Sequence, residues 1–333
     1  MIAQHAPAID VLQQAQRILL LVSERVGDVI FCTPAIHLLK HNRPQATIDV
    51  IAPSVAAAQV LENNPYINRV ITVGNPAGCI QFAADYEVLI DLHNSRKTRA
   101  CAEQFAIPQV SSPRIGAGHQ SAVAVEFMQS LLPGFSVPQG FDGGYELFPA
   151  GRNHAHIDSL LAEVDNNTLL IGCHMGSNRV ARKSGFLKRL FRRNDGRGKS
   201  WPVERFVELA RRLHAHYPHM KLVLTGTPAE SHLIKAFAKQ DDFVIDLIGQ
   251  TSVADLAALM ARLKVFVTGD TGPLHVASAT PVPLVCLFGP TEPKHYGPRP
   301  AKDFRKVIYK DTLDDISIDD VVAAVEQLIE SKN

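Results

Sequence analysis

The chain has 333 residues, of which 46% are hydrophobic and 20% charged, and its formal net charge is +1. This length predicts two domains with sizeable cores, and the near-neutral charge excludes a general attraction to nucleic acid. No apolar run approaches the length of a membrane span, and the first one, residues 18–22, is too short for the core of a signal peptide. We therefore expect a cytoplasmic protein, with a peripheral membrane contact as an open alternative.

The cysteines and histidines form no pattern typical of a disulfide framework or a metal site. The five cysteines are scattered and include no CxxC pair, so we expect buried thiols in a reducing compartment. The fourteen histidines include no HExxH motif and no close pair with a carboxylate, so the sequence predicts no metal. The cysteines are Cys32, Cys79, Cys101, Cys173 and Cys286.

The first half of the chain alternates short aliphatic runs with helical patterns. Continuous aliphatic runs are typical of parallel strands that are buried on both faces. The alternation therefore predicts an α/β domain with a mostly parallel sheet. The predicted strands are Ile18–Val22, Thr47–Ala52, Val70–Val73 and Val88–Leu92, and the predicted helices are Val29–His41 and Val55–Asn63.

The second half repeats this pattern after a segment rich in Pro, Gly and aromatic residues near positions 132–150. We place the domains at residues 1–160 and 161–333, with a helix over 156–164 at the junction. Two doubly wound domains predict a ligand in the cleft between the carboxyl ends of their strands. The last helix, about 316–331, is expected to cross back toward the first domain. The other predicted elements are strands at 169–173, 221–225, 244–246, 265–268 and 284–288, and helices at 203–216, 231–238, 253–262 and 274–279.

The turn after the first predicted strand places an acidic residue at a helix entrance. The sequence SERVGDV supplies Gly27 for a tight turn and Asp28 at the start of the helix. A carboxylate in this position can take a proton from a hydroxyl group. The alternative is that Asp28 only caps the helix, and this residue taken alone favours the cap.

The fourth predicted strand also ends in a polar cluster, DLHNSR, which begins at Asp91. His93, Asn94 and Arg96 are candidates for the acceptor side of the cleft. A hydrogen-bonded loop without any ligand role is an equally good interpretation of the same residues.

A local basic stretch, Arg179–Arg197, interrupts a chain that is otherwise near neutral, and Asp195 is its only acid. Phe and Leu residues lie between the charges. We expect the stretch to attract an anionic acceptor or membrane surface, with Arg189, Arg192 and Arg193 as acceptor-binding residues. A solvated loop is the alternative interpretation.

Two strand ends in the second half carry small polar residues. The strand over 169–173 is followed by the Gly176–Ser177 turn, and the strand over 221–225 ends in Thr225 and Gly226. Glu230 comes next, at a helix entrance, where the helix dipole commonly favours an acid. At a cleft, the same carboxylate can accept both hydroxyls of a ribose. After the basic stretch, Lys199 is expected near the cleft because Trp201 anchors the next helix.

The segment VFVTGDTGPLHVASATPVPLVCLFGPTEP contains the strongest ligand signal. A buried strand ends in Gly269, Asp270, Thr271 and Gly272, and Pro273 suits the first position of a helix. Free backbone N–H groups and the positive end of the helix dipole predict a phosphate site there. A plain helix cap by Asp270 or Thr271 is the alternative of about equal weight.

Six segments taken together resemble glycosyltransferase family 9, the bacterial lipopolysaccharide heptosyltransferases. The resemblance runs from about Arg17 to Pro298. It is specific because the Gly-Asp turn occurs together with a D-[ST]-G-x-x-H segment and a later FGPT. The basic stretch is longer than the connection that is usual in the family. The segments, in order, are RILLLVSERVGDVIFCTPAIHLLK, DLHNSRKTR, CHMGS, GKSWPVERFVELARRL, LTGTPAE and VTGDTGPLHVASATPVPLVCLFGPTEP.

The resemblance implies a GT-B fold, with two Rossmann-like, doubly wound α/β domains facing across a central cleft. It implies an inverting, metal-independent transfer of heptose from ADP-L-glycero-D-manno-heptose to the lipopolysaccharide inner core. The implied partners are this donor and a lipid A-core acceptor at the inner face of the inner membrane. Neither a cofactor, a nucleic acid nor an obligate protein partner is implied.

The resemblance also implies roles for single residues. Asp28 matches the proposed catalytic base, Lys199 the lysine near the sugar and diphosphate, and Glu230 the acid that holds the nucleotide ribose. The acceptor-side residues remain those named above. The donor-binding set is Gly176, Ser177, Lys199, Thr225, Gly226, Glu230, Asp270, Thr271, Gly272, Pro273 and His275.

Two other functions remain open alternatives. A UDP-sugar 2-epimerase-like enzyme shares the two-domain architecture and would need no lipid acceptor. A nucleotide-sugar binding protein could keep the fold without the chemistry. A hydride-transfer enzyme is disfavoured, because the first turn carries one glycine where a dinucleotide site has G-x-G-x-x-G.

Overall fold

The computed structural model describes residues 2–74, 76–113, 118–165, 167–176, 200–239 and 242–331. The chain divides into two compact units, residues 1–148 and 149–333. Within the described ranges, no helix is both long enough and apolar enough to cross a membrane.

The described part of the first unit is built on a five-stranded parallel sheet with the order β3-β2-β1-β4-β5. The central strand pairs on both sides, with Ile18 opposite Ile48 in one neighbour and Val88 in the other. Four of the five residues of the central strand are buried, which explains its unbroken aliphatic sequence. The strands are β1 (Arg17–Leu21), β2 (Thr47–Ala52), β3 (Arg69–Thr72), β4 (Val88–Asp91) and β5 (Gln109–Ser111).

The helices of the first unit begin at recognisable signals. Ser54 accepts a hydrogen bond from the Ala57 N–H at the start of one helix, and Ser95 and Thr98 form a capping box at another. The described helices are α1 (Ile2–Gln14), α2 (Val26–Asn42), α3 (Val55–Val60), α4 (Arg96–Ala102) and α5 (Gln120–Leu131), with a 3₁₀ segment at Pro76–Asp85.

Two cysteines of the first unit correct the expectation of five free thiols. Cys79 and Cys101 form a disulfide, and their Cα atoms lie 5.8 Å apart. The pairing arises because the 3₁₀ segment packs against α4, which brings together two residues that are 22 positions apart. The spacing of these cysteines in the sequence does not predict that they form a disulfide. The other three cysteines, Cys32, Cys173 and Cys286, are buried free thiols.

The described part of the second unit is built on a six-stranded parallel sheet with the order β11-β10-β9-β6-β7-β8. All five residues of the strand over 265–269 are buried, as are those of the strand over 284–288. The strands are β6 (Leu169–His174), β7 (Met220–Thr225), β8 (Val244–Asp246), β9 (Val265–Gly269), β10 (Leu284–Phe288) and β11 (Arg305–Tyr309).

The described part of the second unit also contains α-helices and two 3₁₀ segments. The described helices are α6 (Gly151–Leu160), α7 (Val203–His216), α8 (Val253–Met260), α9 (Gly272–Ser278), α10 (Pro293–Tyr296) and α11 (Ile318–Glu330), with 3₁₀ segments at Pro228–Phe237 and Leu313–Asp315. The helix predicted over 231–238 is therefore a 3₁₀ segment that starts earlier, because Thr227 and Glu230 form a capping box.

The core of the second unit holds both Trp201 and the last helix. The Trp201 ring packs edge-on against Phe206, and its Nε1 donates to the Ile316 carbonyl at 3.1 Å. The apolar face of α11, with Val321 and Val325, is part of the same core. This helix therefore packs on its own unit, and its predicted crossing toward the first domain stays a prediction.

The division between the units falls twelve residues before the boundary placed from the sequence. The structure divides the chain after Phe148, and α6 belongs to the second unit. This helix packs on α8, where Asn153 Nδ2 donates to Asp255 Oδ1 at 2.8 Å. A helix at the start of a domain carries no sequence signal for which sheet it covers.

The extended segment that precedes the division is pinned to α2. The Glu146 N–H donates to Thr33 Oγ1, and Glu146 Oε1 lies 3.0 Å from His37 Nδ1. The His37 ring stacks on Tyr66. Burial raises the pKa of Glu146 to about 7 and lowers the pKa of His37. Both shifts of pKa favour the neutral forms of the two side chains over an ion pair.

We predict that stability depends on the protonation of Glu146. The folded carboxyl holds its proton up to about pH 7, whereas the unfolded chain loses it near pH 4.5. Stability contributed by neutral Glu146 is therefore full below pH 4.5 and is lost as the pH rises toward 7. Glu146→Gln should reduce the loss of stability between pH 5 and pH 8 by about 2 kcal/mol in urea unfolding.

The exposed Glu126 on α5 provides the control for this measurement. Glu126→Gln should leave the pH dependence of unfolding as it is in the wild type, because this side chain is exposed and its replacement removes no buried carboxyl group. Identical pH dependence in the wild type and in Glu146→Gln would contradict the prediction.

Candidate functional site

In the second sheet, the direction of the chain reverses between two neighbouring strands. From β6 the chain moves outward to β7 and β8, and then returns on the other side of β6 as β9. The connections at the carboxyl ends of β6 and β9 therefore leave in opposite directions. Such a switch point leaves a crevice, which is the usual ligand position in an open α/β sheet.

The predicted donor-binding residues of the described chain gather at this edge. Gly176 follows β6, Thr225 ends β7, and the turn 269–272 follows β9. Parallel pairing of β6 with both β7 and β9 puts these three ends on one side of the sheet. The structure thus brings together, within one unit, residues that the sequence identified one motif at a time.

Glu230 is buried at the end of β7, where it organises the loop. Its side chain is 3% exposed, and its Oε2 accepts hydrogen bonds from the Thr227 N–H at 2.7 Å and from Thr227 Oγ1 at 2.8 Å. Among the described residues, no hydrogen bond is made to Glu230 Oε1. The carboxylate therefore has one oxygen fixed by the loop and one that accepts no hydrogen bond from the described residues.

Gly176 is required by its contact with this carboxylate. A Cβ atom at position 176 would lie 1.6 Å from Glu230 Oε1, and one at Gly226 would lie 3.3 Å from Oε2. Backbone and carboxylate therefore approach more closely than any side chain at position 176 would allow. The glycine that sequence analysis assigned to the donor set has this packing reason.

His174 belongs to the same cluster, and sequence analysis missed it. Its ring is buried at the end of β6, with Nδ1 3.1 Å from the Thr225 carbonyl oxygen. Burial lowers the pKa of His174, while the charge of Glu230 and the Thr225 carbonyl act in the opposite direction. The signal was present, because the histidine opens the HMGS segment at a strand end.

The turn after β9 is held by its hydroxyl groups. Thr271 Oγ1 lies 3.2 Å from Thr268 Oγ1, and Thr271 Oγ1 donates to the Gly269 carbonyl at 3.4 Å. Thr271 is the residue before α9, and its side chain does not cap the helix. A plain cap by the Thr271 side chain is therefore wrong for this turn, and a cap by Asp270 stays untested. Asp270 is partly exposed and His275 is buried one turn into the helix.

The first sheet has the same kind of switch point, between β1 and β4. From β1 the chain moves outward to β2 and β3 and returns on the other side as β4. Asp28, in the first turn of α2, follows β1, and His93 follows β4. Their strands pair directly, so the two side chains meet at one edge although 65 positions separate them in the sequence.

The Asp28 carboxylate is held through one oxygen. Ser23 Oγ donates to Asp28 Oδ2 at 3.0 Å, and His93 Nε2 lies 3.1 Å from the same oxygen. Burial raises the pKa of Asp28, but hydrogen bonds from His93 and Ser23 and the charges of His93 and Arg25 outweigh burial and lower it overall. Asp28 is therefore ionised at neutral pH, as a general base must be.

The cap interpretation of Asp28 is wrong, because the helix begins at Val26, three residues before the start that a cap by Asp28 requires. Arg25 is the residue before α2, and no side chain caps this helix. Asp28 lies in the first turn, and its carboxylate contacts the ends of β1 and β4 instead.

Hydrogen bonds within the loop after β4 fix the backbone of His93. Asp91 is fully buried, and its Oδ1 accepts hydrogen bonds from the N–H groups of His93 at 3.0 Å and Asn94 at 2.7 Å. Asn94 has a positive φ of 52° and donates through Nδ2 to the Ser112 carbonyl. The loop is thus hydrogen-bonded, as one interpretation held, while Arg96 is exposed at the start of α4.

Several predicted site residues lie outside the described ranges. They are Ser177, Lys199, Arg189, Arg192 and Arg193, together with the rest of the basic stretch Arg179–Arg197. In the part of the chain that the structure does describe, no group of three or more His, Cys, Asp or Glu side chains is placed to hold a metal ion.

Comparison with known proteins finds a matching family model, similar sequences and solved structures with a similar fold. The model for glycosyltransferase family 9 (heptosyltransferase) matches residues 192–312. Lipopolysaccharide heptosyltransferase 3 of Escherichia coli is 24% identical over 348 residues, which cover 92% of this chain and 97% of that protein.

Two solved structures share the fold along nearly the whole chain. The glycosyl transferase family 9 protein from Veillonella parvula DSM 2008 has a TM-score of 0.79 at 22% identity, covering 95% of this chain and 97% of that one. The E. coli ADP-heptose lps heptosyltransferase II has a TM-score of 0.74 at 22% identity, covering 95% and 99%.

We predict that Gly176→Ala disrupts the edge of the second sheet. The added Cβ must displace the Glu230 carboxylate and with it the Thr227 capping box, at a cost of about 1–3 kcal/mol in the free energy of unfolding. Gly151→Ala, at a position where a Cβ has no atom within 4 Å, is the matched control and should be nearly neutral.

A double-mutant cycle separates this cause from a general loss of packing. In the Glu230→Ala background the obstacle is gone, so Gly176→Ala should cost clearly less than in the wild type. Strictly additive effects of the two substitutions on urea unfolding would contradict the proposed contact.

Proposed function

Since this chain belongs to glycosyltransferase family 9, we propose that it transfers a heptose from a nucleotide sugar to the inner core of lipopolysaccharide. The family match confirms that the chain is a glycosyltransferase, and the solved relatives confirm the predicted GT-B fold. The name of the E. coli relative supports lipopolysaccharide as the acceptor class. The solved E. coli ADP-heptose enzyme supports ADP-L-glycero-D-manno-heptose as the donor.

The donor nucleotide is proposed to bind at the carboxyl edge of the second sheet. Glu230 would accept the ribose hydroxyls through Oε1, since Oε2 is already bonded to Thr227. Thr271, Gly272 and the backbone N–H groups that follow would hold the diphosphate. Lys199 would offset the charge that develops on the leaving group. Preorganised donors of this kind are typically worth about 3–4 kcal/mol each when removed.

The reaction is proposed to be a single displacement that inverts the anomeric carbon. Asp28 takes the proton of the acceptor hydroxyl, and the hydroxyl oxygen forms a bond to the anomeric carbon. The bond between that carbon and the diphosphate oxygen breaks, and the nucleoside diphosphate leaves with the electron pair. Asp28 and the donor edge belong to different units, so this scheme requires both units to take part in the reaction.

One observation carries this proposal. An ionised carboxylate at the switch point of the first sheet has one oxygen anchored by Ser23 and His93 and the other without a protein hydrogen bond in the described chain. A general base needs a carboxylate oxygen that is not already hydrogen-bonded, so that this oxygen can receive a proton. A non-catalytic nucleotide-sugar binding protein would have no use for such an oxygen.

The acceptor is proposed to be an anionic lipid met at the inner face of the inner membrane. The basic stretch Arg179–Arg197 supports this proposal through its charge, which matches the phosphates and carboxylates of a lipid A-core acceptor. His93, Asn94 and Arg96 were predicted for the acceptor side. Of these, Arg96 is exposed and able to contact an acceptor.

We predict that Asp28→Asn lowers turnover by about 10²–10⁴-fold while donor affinity survives. The amide keeps the size of the side chain but cannot take a proton. Steady-state kinetics with a truncated lipopolysaccharide acceptor and calorimetric binding of ADP measure the two effects separately. Glu24→Gln removes a carboxylate from the same loop and should leave turnover near the wild-type value. Parallel loss of ADP affinity and turnover in Asp28→Asn would argue against the base role.

The donor and the metal requirement are tested together. We expect release of nucleoside diphosphate from ADP-heptose only when a truncated lipopolysaccharide acceptor is present, and no change on addition of EDTA. A panel of UDP-, GDP- and ADP-sugars measures donor choice, and NMR of the product measures the anomeric configuration. Acceptor-independent conversion of a UDP-sugar would favour the epimerase alternative, and loss of activity in EDTA would overturn metal independence.

A further inference from the structure

His93 lies where a partner of the Asp28 carboxylate is needed, and three contacts fix it there. Its Nε2 is 3.1 Å from Asp28 Oδ2. Its own N–H donates to the buried Asp91 at 3.0 Å. The next residue, Asn94, donates to the Ser112 carbonyl at 2.9 Å, which ties the loop to the segment after β5. The position of the ring is therefore fixed both by hydrogen bonds of its loop backbone and by its own contact with Asp28.

The two anchors of Asp28 converge on the same oxygen. Ser23 at the end of β1 and His93 after β4 both contact Oδ2, from opposite sides of the switch point. In the described chain, Oδ1 accepts no hydrogen bond, and the side chain is 23% exposed. Two donors on one oxygen fix the rotation of the carboxylate and turn the other oxygen toward solvent.

The second nitrogen of His93 decides which member of the pair acts as the base. Nδ1 is buried, and among the described residues it has no hydrogen-bond partner. A buried nitrogen cannot receive a proton from an incoming hydroxyl group, and the other nitrogen is occupied by Asp28. His93 is therefore unsuited to be the base, whereas Asp28 Oδ1 is open.

We infer that His93 is a positioning residue for the transfer reaction, which orients Asp28 so that its open oxygen accepts the proton of the acceptor hydroxyl. This inference rests on the proposed function. It changes the role that sequence analysis expected for His93, from contact with the acceptor to action through Asp28.

The charges around Asp28 make His93 the residue to test. Two charged groups act on Asp28: His93, in the loop after β4, and Arg25, in the loop that precedes α2. Buried Asp91 lies behind His93, and the thiol of Cys32 on α2 donates to the Asp28 carbonyl. Burial acts to raise the pKa of Asp28, and the hydrogen bond from His93 is the largest effect that lowers it. Loss of His93 should therefore raise the pKa of Asp28.

The test compares His93→Ala with His93→Gln, whose amide N–H can donate to Asp28 without carrying a charge. We expect His93→Ala to lower kcat by about 10–100-fold, the usual worth of a hydrogen bond to a charged group, with the acceptor KM unchanged. The acidic limb of the pH–rate profile should move to higher pH. His93→Gln should recover most of kcat. Thermal unfolding of each variant reports whether it is folded.

A second readout does not depend on turnover. With ¹³C-labelled aspartate, the Asp28 carboxyl is assigned by its loss in Asp28→Asn and titrated by NMR. We expect a higher Asp28 pKa in His93→Ala than in the wild type, with the wild-type value largely restored in His93→Gln. If the wild type transfers no heptose but this pKa still responds, the proposed function fails while the pairing of His93 with Asp28 stands.

Two results would overturn the inference. One is a raised acceptor KM with unchanged kcat in His93→Ala, which would return His93 to the acceptor-binding role. The other is an Asp28 titration that is identical in the wild type and in folded His93→Ala, which would show that His93 does not act on the carboxylate.

Discussion

Both candidate sites depend on the same constraint, which is the reversal of chain direction beside a central parallel strand. Strand β1 pairs with β2 and β4, and β6 pairs with β7 and β9. Each crossover begins at the carboxyl end of its strand. The loops on the two sides of the central strand therefore run in opposite directions and leave a crevice between them. Residues that are far apart in the sequence then share one crevice, and their side chains need no long connecting structure to meet.

Within these crevices the acidic residues divide into two kinds by their exposure. Asp91 and Glu230 are buried, and each accepts hydrogen bonds from the N–H groups or hydroxyl of a loop that it holds in shape. Asp28 and Asp270 are partly exposed. A buried acid that accepts hydrogen bonds from a loop organises that loop, whereas a partly exposed acid keeps capacity for a substrate. Glu230 belongs to the first kind, although only its Oε2 accepts hydrogen bonds from the described loop.

Much of the fold was predictable because buried parallel strands have an unmistakable sequence. The central strands and most long helices follow from aliphatic runs and helical spacing. The edge strand β11 was missed, because its residues are mostly half-exposed and carry charges. The bond between Cys79 and Cys101 was also missed, since it depends on how a 3₁₀ segment packs on α4. The same limit applies to His93, whose partner is set by the pairing of two strands.

The sequence by itself determined the element order, the α/β class, the family resemblance and the identity of the acidic, glycine and hydroxyl residues at strand ends. These features are local, because each depends on residues within one strand, turn or helix. Only the tertiary structure decided that His93 anchors Asp28, that Gly176 makes room for Glu230, and that α6 belongs to the second unit. Those contacts arise from strand order and helix packing, and neither leaves a trace in the spacing of residues along the chain.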